Sequence, residues 1–309
     1  MKKRFSDWSY KIKKDFKRNH LLYLMLLPTI GYYIVWQYAP MYGIIAAFED
    51  FSPRRGIMRS EWIGLRNFES FFSGAYAFRV IRNTLLINLY SLIFGFPVPL
   101  LFALALNEIR SRFFKRTVQT VTYMPYFIST VVLCGILVDF CGSTGVFGQL
   151  QMMLGIESPK NLLSEPAYFR TIYVGSDIWQ KMGWDSILFL SALTGVNPEL
   201  YEAAQIDGAG RLKQIWHVAL PALLPTIAIL LVLRIGSMMN LGFEKIILMY
   251  NGLTYETGDV ISSYVYRKGL IDNDFGFATA VGLFNSVINF ALVILANKAS
   301  RKLTDTSLW

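Results

Sequence analysis

Long uncharged stretches alternate with short charged segments along this chain of 309 residues. A helix needs roughly 20 residues, at about 1.5 Å each, to cross the hydrocarbon core of a bilayer. Five stretches reach this length and predict membrane-spanning helices: 19–48, 83–107, 117–138, 214–233 and 275–297. The outer part of the first is expected to leave the membrane or lie along it from about Pro40, because Pro40 and Gly43 interrupt the pattern.

A sixth stretch, 171–195, has the length of a span but contains Asp177, Lys181 and Asp185. A spacing of four residues places these side chains on one side of a helix, and the opposite side is apolar. Charged side chains in a membrane helix usually face the protein interior or a wet cavity. The sequence therefore predicts an all-α, polytopic membrane protein with about six transmembrane helices, one of which has a polar side.

The composition is also that of a membrane protein, because 54% of the residues are hydrophobic and only 17% are charged. Soluble domains carry about a quarter charged residues, so a soluble enzyme and a disordered chain are both disfavoured. The net charge of +9 lies in short clusters between apolar segments, which favours membrane lipid over nucleic acid as its partner. Six crossings put both termini on one side, and the excess of Lys and Arg on that side predicts cytoplasmic termini.

The N-terminal segment, 1–20, is basic and has an apolar periodicity of its own. Four large apolar residues recur in it at intervals of three and four: Phe5, Trp8, Ile12 and Phe16. This pattern is typical of an amphipathic helix lying on the inner leaflet, and a disordered basic tail is the alternative. Since no linker or repeat is visible, 21–298 is interpreted as one transmembrane domain and 299–309 as a cytoplasmic tail.

Sequence motifs of catalysis are absent from the chain. It contains no GxxxxGK[ST], HExxH, CxxC or GxSxG, so nucleotide hydrolysis and metal chemistry lack their usual parts. The two histidines, His20 and His217, are interpreted as interfacial polar residues, and Cys134 and Cys141 as small packing residues. No catalytic residue, metal or cofactor is therefore assigned to this chain. Energy for uphill transport would have to come from an ion or from another subunit.

Segment 197–221 reads NPELYEAAQIDGAGRLKQIWHVALP and lies in the predicted cytoplasmic loop between spans four and five. Asn197 suits a helix N-cap, Pro198 suits the first helical position, and Gly208 can end the helix. These residues predict a short helix over about 198–206, a turn, and a second helix from about Arg211 into span five. These local signals alone predict only a short helix that connects two spans, with no particular function.

The same segment resembles the EAA loop in the membrane subunits of bacterial ATP-binding-cassette (ABC) importers. That pattern is EAA, three residues, Gly, nine residues, an aliphatic residue, one residue and Leu-Pro. The matching positions here are Glu202, Ala203, Ala204, Gly208, Val218, Leu220 and Pro221, with Asp207 and Ala209 in the common EAAxxDGA form. The segments 40–51, 62–72, 83–89 and 263–282 look like those of carbohydrate-uptake permeases. The likeness is closest to the subgroup for complex polysaccharides or oligosaccharides, including alginate-type importers.

The resemblance implies a type I ABC importer permease in a bacterial cytoplasmic membrane, with saccharide as substrate. It also implies a second homologous permease subunit, two ATPase subunits that bind ATP and Mg²⁺, and an extracellular solute-binding protein. The ATPase contact would be formed by the short helix and its turn. Its residues would be Glu199, Glu202, Ala203, Ala204, Asp207 and Gly208.

Sugar sites combine amides, carboxylates and aromatic faces, which suggests candidates on three spans. They are Ser237, Asn240 and Glu244 on one expected helix face of span five, Asn285 and Asn289 on span six, and Asp177, Trp184 and Asp185 on span four. The resemblance favours Ser237 and Asn240, which precede the turn at Asn251. Each group could instead have a structural role: the asparagines would form hydrogen bonds between helices, and Lys181 would only neutralise the charge of Asp177 or Asp185.

Two other functions compete with the carbohydrate permease. A proton- or sodium-coupled secondary carrier would use Asp177 or Asp185 as its coupling acid, but it leaves the EAA loop unexplained. An amino-acid or peptide ABC permease would share that loop, which serves many substrates. Only the wider likeness to sugar permeases favours a saccharide.

Overall fold

A computed structural model describes the backbone of residues 2–304 and the side chains of residues 14–302. Nearly all of the ordered structure is helical. The helices are α1 (Lys2–Tyr33), α2 (Arg66–Ser73), α3 (Ala77–Tyr90), α4 (Pro97–Asn107), α5 (Arg112–Tyr123), α6 (Thr130–Cys141), α7 (Val146–Met153), α8 (Pro166–Thr194), α9 (Pro198–Ile206), α10 (Arg211–Gln214), α11 (Leu220–Gly236), α12 (Phe243–Met249), α13 (Tyr255–Gly258), α14 (Ile261–Tyr266) and α15 (Phe275–Thr304).

Short stretches of tighter or wider helix join several of these elements. Wide π-helical turns occupy Ile34–Tyr38, Ser91–Gly95, Ile215–Ala219 and Arg267–Ile271, and 3₁₀ segments occupy Ala39–Phe48, Ile57–Arg59, Met124–Phe127 and Leu162–Ser164. Two strands, β1 (Glu49–Asp50) and β2 (Glu61–Trp62), pair antiparallel. This hairpin is the only β-structure in residues 2–304, so the predicted all-α class is confirmed apart from one small loop feature.

Five helical stretches are long and apolar enough to cross a membrane: Lys14–Phe48, Ala77–Asn107, Thr130–Met153, Arg211–Gly236 and Phe275–Lys302. The predicted sixth crossing, 171–195, lies within α8, a continuous helix of 29 residues. Its charged residues distinguish it from the other five. A long helical stretch thus covers five of the six spans predicted from the sequence, and the exception is 117–138.

The third predicted span, 117–138, is not one helix, and that prediction is corrected. The chain is helical in α5, passes through the 3₁₀ turn Met124–Phe127, and begins α6 at Thr130. Pro125 has no backbone N–H for a helical hydrogen bond, and the Ser129 hydroxyl accepts a hydrogen bond from Val132 N at 3.3 Å, which starts a new helix. This uncharged run is therefore divided at Pro125, whereas Pro28 and Pro225 lie inside continuous helices.

The first span projects from the rest of the chain. Helix α1 bends at Asn19, where φ is −115°, and the helical path continues to Phe48. Side chains from 20 to 42 are all exposed, and burial begins only near Ala46. The apolar surface of this span therefore needs lipid or another subunit as cover. The predicted side chains Phe5, Trp8 and Ile12 and the end of the tail after 304 lie outside the described residues.

Helix α8 is the centre of the packing and contacts α4, α5 and α11, while α15 packs on α11 and on the end of the first span. Three apolar clusters form the core, one of which contains both cysteines. Cys134 and Cys141 are buried and not disulfide-bonded, as expected for packing residues. Helices α8 and α11 contact each other, and the EAA-like loop connects them in the chain.

Candidate functional site

The EAA-like loop folds as its local signals predict. Helix α9 spans Pro198–Ile206, and the Asn197 side chain caps it by accepting a hydrogen bond from Glu199 N at 3.0 Å. Gly208 has φ of +74° in open space, a backbone conformation that L side chains rarely adopt. The second helix begins at Arg211 and continues into span five. The predicted helix, turn and helix are therefore confirmed.

The outer side of α9 and the following turn is exposed. Of the residues predicted to contact an ATPase, Ala204 is half-buried and the others are exposed: Glu199, Glu202, Ala203, Asp207 and Gly208. Large apolar residues accompany them, since Ile206 is 86% exposed and Leu212 82%. Exposed apolar side chains next to acidic ones are typical of an interaction surface.

The inner side of α9 is anchored to the bundle by Tyr201. Its ring packs against a buried cluster that includes Phe189 and Leu193 of α8 and Ala219 at the start of span five. Burial raises the pKa of the Tyr201 phenol, and the charge of Glu108 raises it further. Through this cluster, α9 is linked to both α8 and the start of span five.

Span five breaks where the sequence suggested a continuous helix face. Helix α11 ends at Gly236 and α12 begins at Phe243, so Ser237, Asn240 and Glu244 do not share one face, and that prediction is wrong. Asn289 of α15 stabilises the break, because its Oδ1 accepts a hydrogen bond from Met239 N at 2.9 Å. This bond satisfies one backbone donor that a continuous helix would have paired internally.

The three candidate asparagines bond to one another. Asn285 Nδ2 and Asn289 Nδ2 both donate to Asn240 Oδ1, at 3.1 and 2.9 Å. The alternative considered from the sequence was hydrogen bonding between helices; these bonds instead join α15 to the non-helical break in span five. Asn240 itself is exposed, whereas Asn289 and the neighbouring Met239 are buried.

Asp177 is the centre of a charged cluster between α8, α11 and α12. Its carboxylate lies 2.7 Å from Lys181 Nζ, 3.8 Å from Lys245 Nζ and 4.0 Å from Arg234 Nη2. Arg234 Nη2 also donates to Ser91 Oγ at 2.7 Å. Lys181 therefore pairs with Asp177, as one of the sequence-based alternatives proposed.

Two cavities adjoin this cluster and share Arg234 and Ser237 as lining residues. One is polar, has a volume of about 130 Å³, and is also lined by Asp177, Lys181 and Asn240. The other, of about 270 Å³, is lined mainly by apolar side chains together with Asp185. The structure thus brings four predicted pathway residues to adjoining cavities: Asp177, Asp185, Ser237 and Asn240.

The remaining predicted pathway residues lie elsewhere. Trp184 stacks on Tyr126 with ring centroids 4.5 Å apart. Glu244 is exposed in the first turn of α12. Asn285 lines a third cavity of about 490 Å³, which it shares with Phe243.

The family model of the binding-protein-dependent transport system inner membrane component matches residues 95–305. The chain belongs to this family. Its matched part contains the EAA-like loop and the break in span five.

Two relatives and one solved structure agree with this assignment. The chain is 44% identical to Protein LplB of Bacillus subtilis (strain 168), covering 95% of this chain and 92% of the relative. It is 41% identical to the polygalacturonan/rhamnogalacturonan transport system permease protein YteP of the same organism, covering 93% and 90%. It matches a chain in the crystal structure of a bacterial alginate ABC transporter in complex with alginate pentasaccharide-bound periplasmic protein, with a TM-score of 0.88 and 44% identity over 96% of this chain and 99% of that one.

This transport system component is a permease subunit of a bacterial ABC importer that translocates oligosaccharides or polysaccharides across the cytoplasmic membrane. Its fold is that of an ABC importer permease. Within residues 14–302, no three His, Cys, Asp or Glu side chains cluster as metal ligands do.

The sequence analysis did not identify three residues of the charged cluster around Asp177: Arg234, Lys245 and Ser91. Arg234 stands directly after the uncharged run 214–233, and this position was the available signal. Lys245 Nζ donates to Tyr173 O at 3.0 Å and lies over the Tyr173 ring, contacts that depend on tertiary packing. No local pattern could reveal them.

Proposed function

We propose that α9 and its turn are the docking element for a partner ATPase, through Glu199, Glu202, Ala203, Ala204, Asp207 and Gly208. The observation that carries this is the exposed acidic and apolar surface of α9 on a loop whose inner side is packed into the bundle. In the assembly, a second homologous permease pairs with this one, and two ATPase subunits bind ATP and Mg²⁺ and carry out hydrolysis.

Helix α8 is the element that transmits ATPase movement to the substrate pathway. It runs without interruption from Thr194, next to the docking loop, to Asp177 in the charged cluster, which is about 26 Å at 1.5 Å per residue. Closure of the ATPases would move α9, and the Tyr201 anchor would carry α8 and span five with it. Such rigid-body movement would open the pathway alternately to each side of the membrane.

The saccharide pathway passes the break in span five. Non-helical backbone at membrane depth occurs where it is buried in protein or lines a wet cavity, and residues 237–242 have this character. Ser237 and Asn240 offer hydroxyl and amide groups there, and Asp177 and Asp185 offer carboxylates. Asn285 and Asn289 position Asn240, while Trp184 and Glu244 remain candidates from the sequence alone.

Both termini are cytoplasmic in this proposal, and the N-terminal segment lies on the inner leaflet. The segments 49–83, 142–170 and 244–276 then face outward, where an extracellular solute-binding protein delivers the saccharide. The exposed first span faces lipid and the second permease.

The docking proposal is tested with Glu202→Lys and Gly208→Asp in the reconstituted complex. Glu202→Lys reverses a surface charge, and Gly208→Asp puts a side chain where φ is +74°. Both variants should insert and assemble normally but lose saccharide uptake and binding-protein-stimulated ATPase activity. Gly210→Ala is the control, because Gly210 has φ of −65° and open space around it.

Normal uptake and normal stimulation in both variants would exclude α9 as the docking element. Uptake by this chain alone, driven by a proton gradient without ATP, would instead support a secondary carrier.

A further inference from the structure

Four cations lie within seven residues where the chain passes from α4 into α5: Arg110, Arg112, Lys115 and Arg116. Lys115 is half-buried and the other three are exposed. The Ser111 hydroxyl caps α5 by accepting a hydrogen bond from Phe114 N at 3.3 Å. Residues 110–116 thus form a capped basic turn at the start of α5.

The basic turn has no ion pair with any carboxylate of residues 14–302. The ion pairs within that range involve five other acidic residues: Asp50, Glu165, Asp177, Asp259 and Asp272. Glu108, the nearest acidic residue in the sequence, is half-buried beside Tyr201, and burial together with this charge raises the pKa of the Tyr201 phenol. Within the described residues, the four positive charges are therefore left without an anion.

Two large aromatic side chains extend from the basic turn into open space. Phe113 is 83% exposed and Phe114 57%. Water gives such rings no favourable contact, whereas phenylalanine among lysines and arginines is typical of segments at the boundary between lipid headgroups and acyl chains. The two rings therefore indicate that the basic turn lies at a membrane surface.

The exposed face of α5 that continues from Phe113 can contact hydrocarbon. Thr117, Thr120 and Met124 follow on this face at helical spacing, and Met124 is 63% exposed. The Thr117 hydroxyl donates to Phe113 O at 3.0 Å, and the Thr120 hydroxyl donates to Arg116 O at 2.9 Å. Because both hydroxyls are satisfied within the helix, this face leaves no hydroxyl unpaired toward lipid.

The basic turn lies on the same side of the bundle as α9. Leu104, near the end of α4, shares a buried cluster with Leu193 at the end of α8 and with Tyr201 of α9. The proposed ATPase contact of α9 makes this side cytoplasmic. Anionic lipids give the cytoplasmic leaflet a negative surface potential, which attracts basic segments beside a span.

We propose that the basic turn binds the headgroups of anionic phospholipids, with Phe113 and Phe114 inserted where headgroups meet acyl chains. The proposal rests on the proposed cytoplasmic position of α9. Arg112 and Arg116 are four residues apart and lie on one edge of α5, so both guanidiniums can bind phosphate oxygens of the same lipid surface. This contact holds the cytoplasmic end of α5 at the inner leaflet.

The test measures which lipids lie next to α5 in the assembled complex. A fluorophore is attached to Thr117→Cys, on the exposed face, in a background without Cys134 and Cys141. The complex is reconstituted in phosphatidylcholine that contains a small, equal fraction of either phosphatidylglycerol or phosphatidylcholine with brominated acyl chains, which quench the fluorophore on contact. Brominated phosphatidylglycerol should quench more strongly, and high salt should reduce this excess because it screens exposed charges.

Arg112→Gln and Arg116→Gln should each lower the preference for phosphatidylglycerol by about three- to fivefold, and the double variant by about tenfold or more. The matched control replaces Lys298 and Lys302 by glutamine. These two cations are exposed at the end of α15, so the control changes the net charge equally on another span. It should leave the preference unchanged. Copurification of the ATPase shows that each variant assembles.

Three results would overturn the lipid site. The two brominated lipids quench equally, the double variant keeps the full excess, or neither lipid quenches because another protein covers this face of α5. Equal quenching combined with loss of the ATPase from the double variant would assign the basic turn to the ATPase. Quenching reports only the lipids next to α5, whereas the docking proposal is measured by uptake in the Glu202→Lys variant. The two proposals can therefore fail separately.

Discussion

The guanidinium of Arg267 makes two parallel hydrogen bonds to the fully buried carboxylate of Asp259, from Nη1 to Oδ1 at 2.8 Å and from Nη2 to Oδ2 at 2.7 Å. Arg79 Nη2 lies 3.2 Å from the same Oδ2, and the Ser263 hydroxyl donates to Oδ1 at 2.9 Å. The backbone oxygen of Asp259 accepts a hydrogen bond from Asn83. One carboxylate thus ties α3 to the segment between spans five and six.

Replacing Asp259 by asparagine should destabilise the protein markedly, because it leaves two arginines without their anion. Removal of one partner of a buried ion pair costs about 3–5 kcal/mol. Asp272→Asn is the control, since its pair with Lys268 is exposed and such pairs contribute about 0–1 kcal/mol. The thermal midpoint of the purified complex measures both changes. Equal midpoints for the two variants would show that the Asp259 cluster does not stabilise this region.

Gly183 allows α8 to approach the end of α5 closely. A Cβ at this position would collide with the Thr122 backbone oxygen and would lie 2.9 Å from Tyr123 Cδ1. Gly183→Ala should therefore lower stability by about 1–3 kcal/mol, as overpacking does. Gly175→Ala, on the same helix with nothing within 4 Å, should be neutral or stabilising because alanine favours the helix. Thermal inactivation rates of the two variants test this difference, and similar rates would contradict it.

The sequence predicted those elements that depend on local signals. Asn197, Pro198 and Gly208 act within one short segment, and the helix they delimit has the predicted bounds. The division of the third predicted span was missed because hydropathy does not register the effect of Pro125. The break in span five depends on Asn289, which bonds to a backbone group fifty residues away. Such contacts form when distant segments pack together, and the hydrophobic periodicity of one segment gives no information about them.

The Tyr201 anchor should be required for coupling between the ATPase and the pathway. Tyr201→Ala removes the ring that packs on the cluster containing Phe189 and Leu193, and α9 would then move without carrying α8. Uptake by the reconstituted complex should fall by about tenfold or more, corresponding to at least 1.4 kcal/mol of lost coupling. Tyr201→Phe keeps the ring and should retain most of the uptake.

Assembly with the ATPase, measured by copurification, separates this effect from loss of docking. If the alanine variant assembles and transports normally, α9 does not act through Tyr201.

Cysteine accessibility along the span-five break gives the most direct test of the pathway. With Cys134 and Cys141 removed, Ser237→Cys and Asn240→Cys should react readily with a polar thiol reagent, because both side chains are exposed at the polar cavity. Met239→Cys should react slowly, since this side chain is 2% exposed and packs in the core. A transported saccharide should slow the reaction at positions 237 and 240 by occupying the cavity. Protection at 239 with none at 237 and 240 would place the pathway on another face of span five, because a buried position can be protected only if the cavity lies on its side.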